Sequence, residues 1–391
     1  MDKRTKKKVV RVAKKHTGAV IAIAVILVVI IAVGVLLYFK VDSVHNAIDS
    51  LFKKNTNVTY GDKDLSFHFL ELGNHYTGDC TYIKAGDIDI LIDAGSREKS
   101  ATTIEAYVDK YCTDGKLEYV IATHGHQDHI AGFVDTGSSQ GIFSHYECET
   151  IIDFALTNNV GSKESAIHKK YVAARDAEVA AGAKHYTALE CAKESTEGAK
   201  RVYSLGEGMS MTILYQKFYE EKTSDENDYS VCVLFTHGDK NYLFTGDLEK
   251  EGEASLVEKN SLPQVALFKG GHHGSYTAST DTLLSVIKPE IVCVCCCAGS
   301  TEYTDTPANT FPSQTFVDNV SKYTDCVYVT TRIATEAEET ETGKKYVSFN
   351  GNIVVVSSAG TVTVNCSNNN TKLKDSDWFK ANRTCPAAWS T

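Results

Sequence analysis

The sequence predicts an α/β domain preceded by one membrane-spanning helix. The chain has 391 residues, 42% hydrophobic and 23% charged, which is typical of a globular protein with a core. Residues 18–39 are apolar and carry no charge. From Leu65 onwards, short apolar runs alternate with stretches of helical periodicity, as expected of an α/β domain.

The apolar segment 18–39 is long enough to cross a bilayer whose hydrocarbon core is about 30 Å thick. Eight basic residues precede it and only Lys40 follows closely, so we expect a cytoplasmic N-terminus and an extracellular remainder. A cleaved signal peptide is the alternative, but its apolar region is usually shorter and ends at small residues. We therefore predict a basic tail (1–17), a single-pass anchor (18–39) and a stalk (40–64).

The predicted elements follow in order along one continuous domain, 65–366, with a C-terminal tail at 367–391 that either packs back on the domain or forms an appendage. Ser279 and Ser313 are predicted to cap helices because serine accepts hydrogen bonds from the first turn. Strands are predicted at 67–72, 81–84, 87–92, 117–122, 229–235, 241–245, 264–269, 326–330, 353–356 and 362–364, and helices at 102–114, 163–181 and 249–259.

Charge and cysteine content restrict the function. Residues 41–391 hold 31 of the 40 basic and 49 of the 50 acidic residues, a formal charge of −18, which disfavours an extended nucleic-acid track. The twelve cysteines include the run Cys293-Val-Cys-Cys-Cys297 in a predicted buried strand, so we expect mainly core thiols. Cys366 and Cys385 are the candidate disulfide pair, since an external location permits one.

The most informative motif is an HxHxDH sequence that follows a predicted strand. Because a tight loop can direct several side chains to one point, His124 and His126 are predicted to bind one metal, and Asp128 and His129 a neighbouring one. Imidazole and carboxylate ligands suit zinc, with manganese or iron as alternatives.

This motif resembles that of the metallo-β-lactamase hydrolase superfamily. Three further segments agree in order: one ending in Asp93-Ala-Gly, one ending in Thr-Gly-Asp247, and Lys269-Gly-Gly-His-His-Gly-Ser275. With Asn227 and Ser230, they are most similar to the exterior hydrolase domain of bacterial competence (DNA-uptake) channel proteins and its stand-alone relatives. The resemblance implies a four-layer αβ/βα sandwich with two mixed sheets inside and helices outside.

The resemblance also implies the site residues. Asp128 and Asp247 fit as charge-balancing ligands, Asp247 can bridge two metals, and Asp93 supports the metal loop. One of His272 and His273 is expected to bind metal and the other to contact the substrate or leaving group, which leaves their assignment open. The implied metal ligands are His124, His126, Asp128, His129, Asp247, His272 and His273, and the residues expected to act in catalysis are Asp128, His273 and Asp93.

The chain departs from the superfamily pattern in two places. No recognisable motif supplies a third histidine; the candidates are His145, His168, His185 and His237. His168, in a polar helix, and His237, in a hairpin turn, are expected to be solvated. Phe311-Pro312 stands where the competence branch tends to have His-Pro.

The leading hypothesis is a membrane-anchored extracellular hydrolase with two divalent metal ions that activate a bridging hydroxide for phosphodiester cleavage. The competence resemblance favours nucleic acid as the substrate. Two alternatives remain: an esterase for a wall-linked or lipid headgroup such as phosphorylcholine, and a metal-binding module without catalysis.

Overall fold

The computed structural model describes Gly61 and residues 63–390. These residues belong to one compact unit. None of the helices in the described part of the chain has the length and apolar character needed to cross a bilayer. The predicted anchor, residues 18–39, lies outside the described residues.

Two eight-stranded mixed sheets build the domain, in agreement with the predicted α/β class. The first sheet has the strand order β16-β15-β1-β2-β3-β4-β5-β6. Its pairs from β3 to β6 are parallel and the others antiparallel. Its strands are β1 (Leu65–Phe69), β2 (Thr81–Ala85), β3 (Ile88–Ile92), β4 (Lys116–Ile121), β5 (Glu147–Asp153), β6 (Lys184–Thr187), β15 (Ile353–Ser358) and β16 (Thr361–Cys366).

The second sheet has the order β14-β13-β12-β11-β10-β9-β8-β7. Its pairs from β10 to β13 are parallel and the others antiparallel. Its strands are β7 (Val202–Ser204), β8 (Met209–Leu214), β9 (Cys232–His237), β10 (Lys240–Phe244), β11 (Leu267–Lys269), β12 (Ile291–Ala298), β13 (Val327–Ile333) and β14 (Tyr346–Ser348).

The helices are short apart from α4. They are α1 (Ser100–Val108), α2 (Gln127–Ile130), α3 (Ile142–His145), α4 (Ala166–Ala181), α5 (Ala188–Lys193), α6 (Lys250–Lys259), α7 (Asp281–Ile287), α8 (Gln314–Val320), α9 (Glu336–Thr342) and α10 (Asp377–Asn382). Ser313 caps α8 as predicted, because its side chain accepts the N–H of Phe316. The predicted cap at Ser279 is wrong: α7 begins one residue later, after Thr280, and the Ser279 hydroxyl instead accepts the N–H of Gly271.

Aromatic side chains fill the space between the sheets. The Phe67 ring of β1 lies 5.5 Å from the Phe235 ring of β9 and 4.7 Å from the Tyr242 ring of β10. Phe69 stacks on Phe244 at 5.9 Å. All four phenylalanines and the tyrosine are fully or almost fully buried. Burial of apolar area stabilises the folded state by roughly 25 cal/mol per Å². Because these rings contact one another across the two sheets, their burial holds the sheets face to face.

A second apolar cluster lies on the other face of the second sheet and includes side chains from the C-terminal segment. Phe379 and Trp389 are buried there. Arg383 donates to the carbonyl oxygens of Pro312 at 2.9 Å and Thr310 at 2.7 Å. The residues predicted as a tail therefore pack against the domain.

The cysteines are mainly core residues, as expected. Nine of the twelve are buried, and all twelve are free thiols. Strand β12, which contains four of them, is buried from Val292 to its end. The predicted Cys366–Cys385 disulfide is wrong: Cys366 ends β16 in the first sheet, whereas Cys385 is exposed in the C-terminal segment.

Candidate metal centre

The candidate centre lies where parallel strands of both sheets end. The HxHxDH loop follows β4, Asp93 follows β3, Asp247 follows β10, and the His272-His273 pair follows β11. The carboxyl ends of parallel strands are the usual position of binding sites in α/β sheets. The face-to-face packing of the sheets brings these four segments together.

Four predicted ligand residues converge with atoms separated by little more than 3 Å. The Oδ2 atom of Asp247 lies 3.0 Å from His129 Nε2 and 3.1 Å from His273 Nε2. The two Nε2 atoms are 3.3 Å apart, and Asp128 Oδ2 lies 3.4 Å from His273 Nε2. All four residues are buried. We call Asp128, His129, Asp247 and His273 the buried half of the centre.

His124 and His126 form a second pair beside the buried half, which we call the open half. His124 Nε2 lies 3.0 Å from His126 Nδ1, and the His124 and His129 rings are 4.1 Å apart. His124 is buried, whereas His126 is partly exposed. The structure therefore places the four residues of the HxHxDH motif as two adjoining donor sets.

Asp93 lies beneath the metal loop, where the sequence analysis puts it. Its Oδ2 atom is 2.8 Å from His129 Nδ1 and accepts the Thr123 hydroxyl at 2.8 Å, while Oδ1 accepts the Thr123 N–H at 2.7 Å. A histidine that donates its Nδ1–H to a carboxylate presents the lone pair of Nε2 on the other side. The Cys295 carbonyl, 2.9 Å from His273 Nδ1, orients the second imidazole in the same way.

The backbone around the loop is unusually close and partly strained. Gly95 lies against the Asp128 carbonyl group, where any Cβ would overlap the oxygen. Asp93, His272 and His273 all have positive φ angles, at 58°, 45° and 54°. Non-glycine residues adopt this region at a cost of order 1 kcal/mol or more, and such residues concentrate at functional sites.

Two charged residues at the centre were not predicted from the sequence. Asp79 and Lys269 form a buried ion pair, and Lys269 Nζ also lies 3.5 Å from Asp247 Oδ1. Asp79 Oδ1 is 3.1 Å from His273 Nδ1. Asp79, His129, Asp247 and His273 form a buried group whose ligand atoms all lie within 4.8 Å of one another, so Asp79 is a further candidate ligand. Lys269 begins the Lys269–Ser275 motif, but the motif gave no reason to assign it a role. Asp79 belongs to no recognisable sequence motif.

The two adjacent histidines of the 272–273 pair face different surroundings. His273 is fully buried within the four-residue cluster, whereas the His272 side chain is 18% exposed. His272 Nδ1 lies 3.1 Å from both Glu249 Oε1 and Thr277 Oγ1, and its Nε2 is 3.9 Å from Asp247 Oδ2. The geometry places His273 with the ligand set and His272 at its border.

The four candidates for a third histidine bind elsewhere. His145 contacts Asp109 at 3.0 Å, His168 contacts Glu164 at 3.1 Å, His185 contacts Asp153 at 2.8 Å, and His237 contacts Ser357 at 2.9 Å. The expectation that His168 is solvated is wrong, because its ring is buried beside Phe154. His237 ends β9 rather than standing in the turn and is only partly exposed.

Aromatic residues of the 303–311 segment border the centre. The Tyr303 hydroxyl donates to Asp128 Oδ2 at 2.7 Å although its ring is 52% exposed. The Phe311 ring lies 5.8 Å from the His272 ring and 5.9 Å from the His273 ring. Phe311, where the competence branch tends to have histidine, thus packs directly on the histidine pair.

The electrostatics fit a bound cation. Burial opposes a charge on His129, but Asp247 and Asp93 outweigh burial and raise the pKa of this imidazole to about 10. Burial also opposes ionisation of Asp247, yet His129, His273 and Lys269 hold the pKa of Asp247 well below its usual range. By contrast, burial and the neighbouring His129 and His126 hold the pKa of His124 well below its usual range.

These residues can hold a divalent metal. Nδ1 partners orient both buried imidazoles, so their Nε2 atoms meet Asp247 Oδ2 inside the protein. Carboxylate and imidazole donors suit zinc, and bond lengths near 2 Å from a common ion would separate ligand atoms by roughly the distances observed.

Comparisons with known proteins agree with this geometry. Residues 73–136 and 223–298 match the family "Metallo-beta-lactamase superfamily". The chain is 40% identical over 74 residues to "Competence protein ComA" of Neisseria gonorrhoeae, which is 18% of this chain and 10% of that protein. It is 24% identical over 181 residues to "ComE operon protein 3" of Bacillus subtilis, or 45% of this chain and 19% of that protein. The chain thus spans no more than about a fifth of these curated relatives.

Solved structures of metallo-β-lactamases are also similar to the chain, at low sequence identity. Rm3 metallo-beta-lactamase is 11% identical, with a TM-score of 0.32, over 51% of this chain and 76% of that one. Metallo-beta-lactamase SMB-1 is 17% identical, with a TM-score of 0.31, over 52% and 79%. The resemblance predicted from the sequence rests on the matched segments, which contain the HxHxDH loop, Asp247 and the 272–273 pair. That resemblance is confirmed over these two segments, which match the metallo-β-lactamase superfamily.

Proposed function

We propose that the chain is a metal-dependent phosphodiesterase that cleaves nucleic acid outside the cell, anchored to the membrane by residues 18–39. The observation that carries this proposal is the convergence of Asp128, His129, Asp247 and His273 within 3.0–3.4 Å, beside the His124–His126 pair. The similarity to competence proteins favours a substrate related to DNA uptake.

Each half of the centre would hold one divalent ion. Asp128, His129, Asp247 and His273 supply the ligands of the buried half, and His124 Nε2 with His126 Nδ1 those of the open half. Such ions lower the pKa of water and act as Lewis acids toward a phosphoryl oxygen. Zinc suits the donor set best, with manganese and iron as alternatives.

The surrounding residues position the ligands and balance their charge. Asp93 orients His129, and the Cys295 carbonyl orients His273. Lys269 neutralises part of the negative charge on Asp247 and Asp79, which keeps the buried carboxylates ionised. Tyr303 holds the side chain of Asp128 from the solvent side.

His272 is suited to transfer a proton to the leaving group. Its side chain borders the centre, and its Nδ1 is held by Glu249 and Thr277, which leaves Nε2 directed toward the Asp247 side. A carboxylate beside an imidazole fixes its tautomer and ring orientation, as in other general acid–base pairs. We therefore assign His273 as a ligand and His272 as the proton donor.

The experiment measures metal content and hydrolysis of bis-p-nitrophenyl phosphate by the full-length chain. His129→Ala removes an imidazole from the buried half and should lower turnover on the order of a thousandfold, since metal activation contributes several kcal/mol. His145→Ala is the control, because His145 contacts Asp109 away from the centre. Turnover that survives both His129→Ala and chelation would refute the proposal.

One observation favours the non-catalytic alternative: none of the four candidate histidines among the described residues completes the open half. A metal-binding module would retain stoichiometric metal but hydrolyse no diester. The same measurements separate the two functions, because metal content and turnover are read independently.

A further inference from the structure

A cavity of about 710 Å³ lies beside the metal loop. Gln127 connects the two, because it stands between His126 and Asp128 in the loop and also lines the cavity. Gln127 is exposed and His126 partly exposed, so the cavity lies on the accessible side of the loop. A group bound in this cavity would therefore lie next to a substrate held at the centre.

Cations outnumber anions among the charged residues that line the cavity. Arg97, Lys99 and Lys170 line it, with Glu98 as the single anionic residue. This contrasts with the formal charge of −18 on residues 41–391. It also contrasts with a neighbouring cavity of about 470 Å³, where Glu302 and Glu339 accompany Lys345.

Arg97 is held in place before any ligand binds. Its guanidinium lies 3.8 Å from the centre of the Tyr76 ring, and it donates to the Ser96 carbonyl at 2.7 Å and to Glu302 at 2.6 Å. A planar guanidinium fixed in this way loses little conformational freedom when it binds a phosphate. The Arg97 side chain remains 31% exposed.

The two lysines are available to an anion. Lys170 pairs with Glu98 at the surface, and exposed pairs of this kind contribute only about 0–1 kcal/mol. Lys99 is exposed, and no carboxylate of the described residues lies within ion-pair distance of it. A phosphate can therefore recruit both ammonium groups without breaking a strong interaction.

We propose that this cavity binds a backbone phosphate of a nucleic-acid strand, adjacent to the phosphodiester that is cleaved at the metal centre. The inference rests on the proposed function and narrows its substrate class to strands with more than one phosphate. A phosphorylcholine headgroup fits poorly. The cations repel its ammonium, and the Tyr76 ring is already covered by Arg97 and contacted by His75, whose ring centroid is 4.0 Å away.

The test compares substrates with one and with many phosphates in the full-length chain. The double variant Lys99→Gln, Lys170→Gln should lower the ratio of kcat/KM for a single-stranded oligonucleotide to that for bis-p-nitrophenyl phosphate by about tenfold. The double variant Lys259→Gln, Lys322→Gln removes the same charge from surface pairs outside the cavity and should leave the ratio unchanged. An unchanged ratio in the first variant overturns the inference, as does a preference of the wild type for p-nitrophenyl phosphorylcholine over the oligonucleotide.

A binding measurement keeps this result separate from the proposed function. Oligonucleotide binding is followed by fluorescence anisotropy in chelator at several salt concentrations. Loss of two phosphate contacts should reduce the slope of log K against log salt by about 1.4, or about 0.7 per cation on a single strand. If the wild type hydrolyses neither bis-p-nitrophenyl phosphate nor the oligonucleotide, the proposed function fails. A reduced slope in the Lys99→Gln, Lys170→Gln variant would still support phosphate binding in the cavity, and a slope equal to that of the wild type would overturn it.

Discussion

The buried and open halves of the candidate metal centre differ in how firmly their side chains are held. In the buried half, His129 is bound by Asp93, His273 by the Cys295 carbonyl, and Asp247 by Lys269. In the open half, His124 Nδ1 has, among the described residues, only the hydroxyls of Thr123 and Ser230 at 3.2 and 3.4 Å. His126, its partner, is partly exposed.

Sites with similar ligand types can therefore differ in metal affinity. Second partners of metal ligands typically change metal affinity 10–100-fold, because they fix ring orientation and tautomer. The buried half has such partners on both histidines, and it supplies two carboxylates to balance the charge. We therefore expect the buried half to bind metal more tightly, and the open half to fill last.

The largest effect should come from Asp247, whose Oδ2 atom meets both buried imidazoles. Asp247→Ala should lower phosphodiester turnover on the order of a thousandfold and release metal, because it removes a ligand and leaves Lys269 beside two imidazoles. Kinetics and elemental analysis measure both effects. Asp239→Ala, in the exposed turn between β9 and β10, is the control; equal activity in the two variants would contradict the proposed centre.

The comparison of the halves is tested directly by metal stoichiometry. His273→Ala should weaken the tightest bound metal by about a hundredfold or more, whereas His126→Ala should leave that metal in place and release only the weaker one. Elemental analysis after exhaustive dialysis gives the number retained by each variant. If His126→Ala loses the last metal and His273→Ala does not, the order of the halves is reversed.

Metal removal should also lower stability through the buried half. A ligand at about 100 times its Kd stabilises the folded state by about 2.7 kcal/mol, so chelation should lower the midpoint of unfolding in denaturant. The His126→Ala variant should keep most of this difference and His273→Ala should lose it. The same chelator sensitivity in all three proteins would show that neither half is linked to folding.

The smallest effect should come from Asp93, which contacts the centre only through His129 and Thr123. Asp93→Asn keeps one acceptor for the Thr123 N–H but loses the oxygen that binds His129 Nδ1, so metal affinity should fall 10–100-fold. Competition with a chromophoric chelator measures the affinity. Asp135→Asn, which alters a turn contact with Gly141, is the control; unchanged affinity in Asp93→Asn would mean that packing alone orients His129.

Much of the fold follows from local sequence patterns. Alternating apolar runs located β1 to β4, and they shift by only a few residues in the structure; the hairpin of β9 and β10 was found in the same way. The β12 run was also recognised, because consecutive apolar residues indicate a strand buried on both faces. Element ends were less certain: Thr280 precedes α7, yet Ser279 looks equally good as a cap.

The site was predictable where a motif concentrates its residues, and not where the fold brings distant residues together. The four residues of HxHxDH lie within one loop, so the sequence alone predicted that their side chains are close together. Asp79 and Lys269 are separated by 190 positions and meet only because both sheets end at the same point. His168 was misplaced because its helix is polar overall, although this one position faces Phe154.

The free thiols carry a consequence for how the protein is made. Burial raises the pKa of Cys148 and Cys232, among others, and disulfide exchange requires the thiolate, so these buried thiols resist oxidation in the folded protein. The unfolded chain has no such protection, since all twelve sulfur atoms then meet the surrounding redox buffer. In an oxidising compartment, correct folding therefore competes with oxidation. The sheets must bury these cysteines before non-native disulfide bonds form between them.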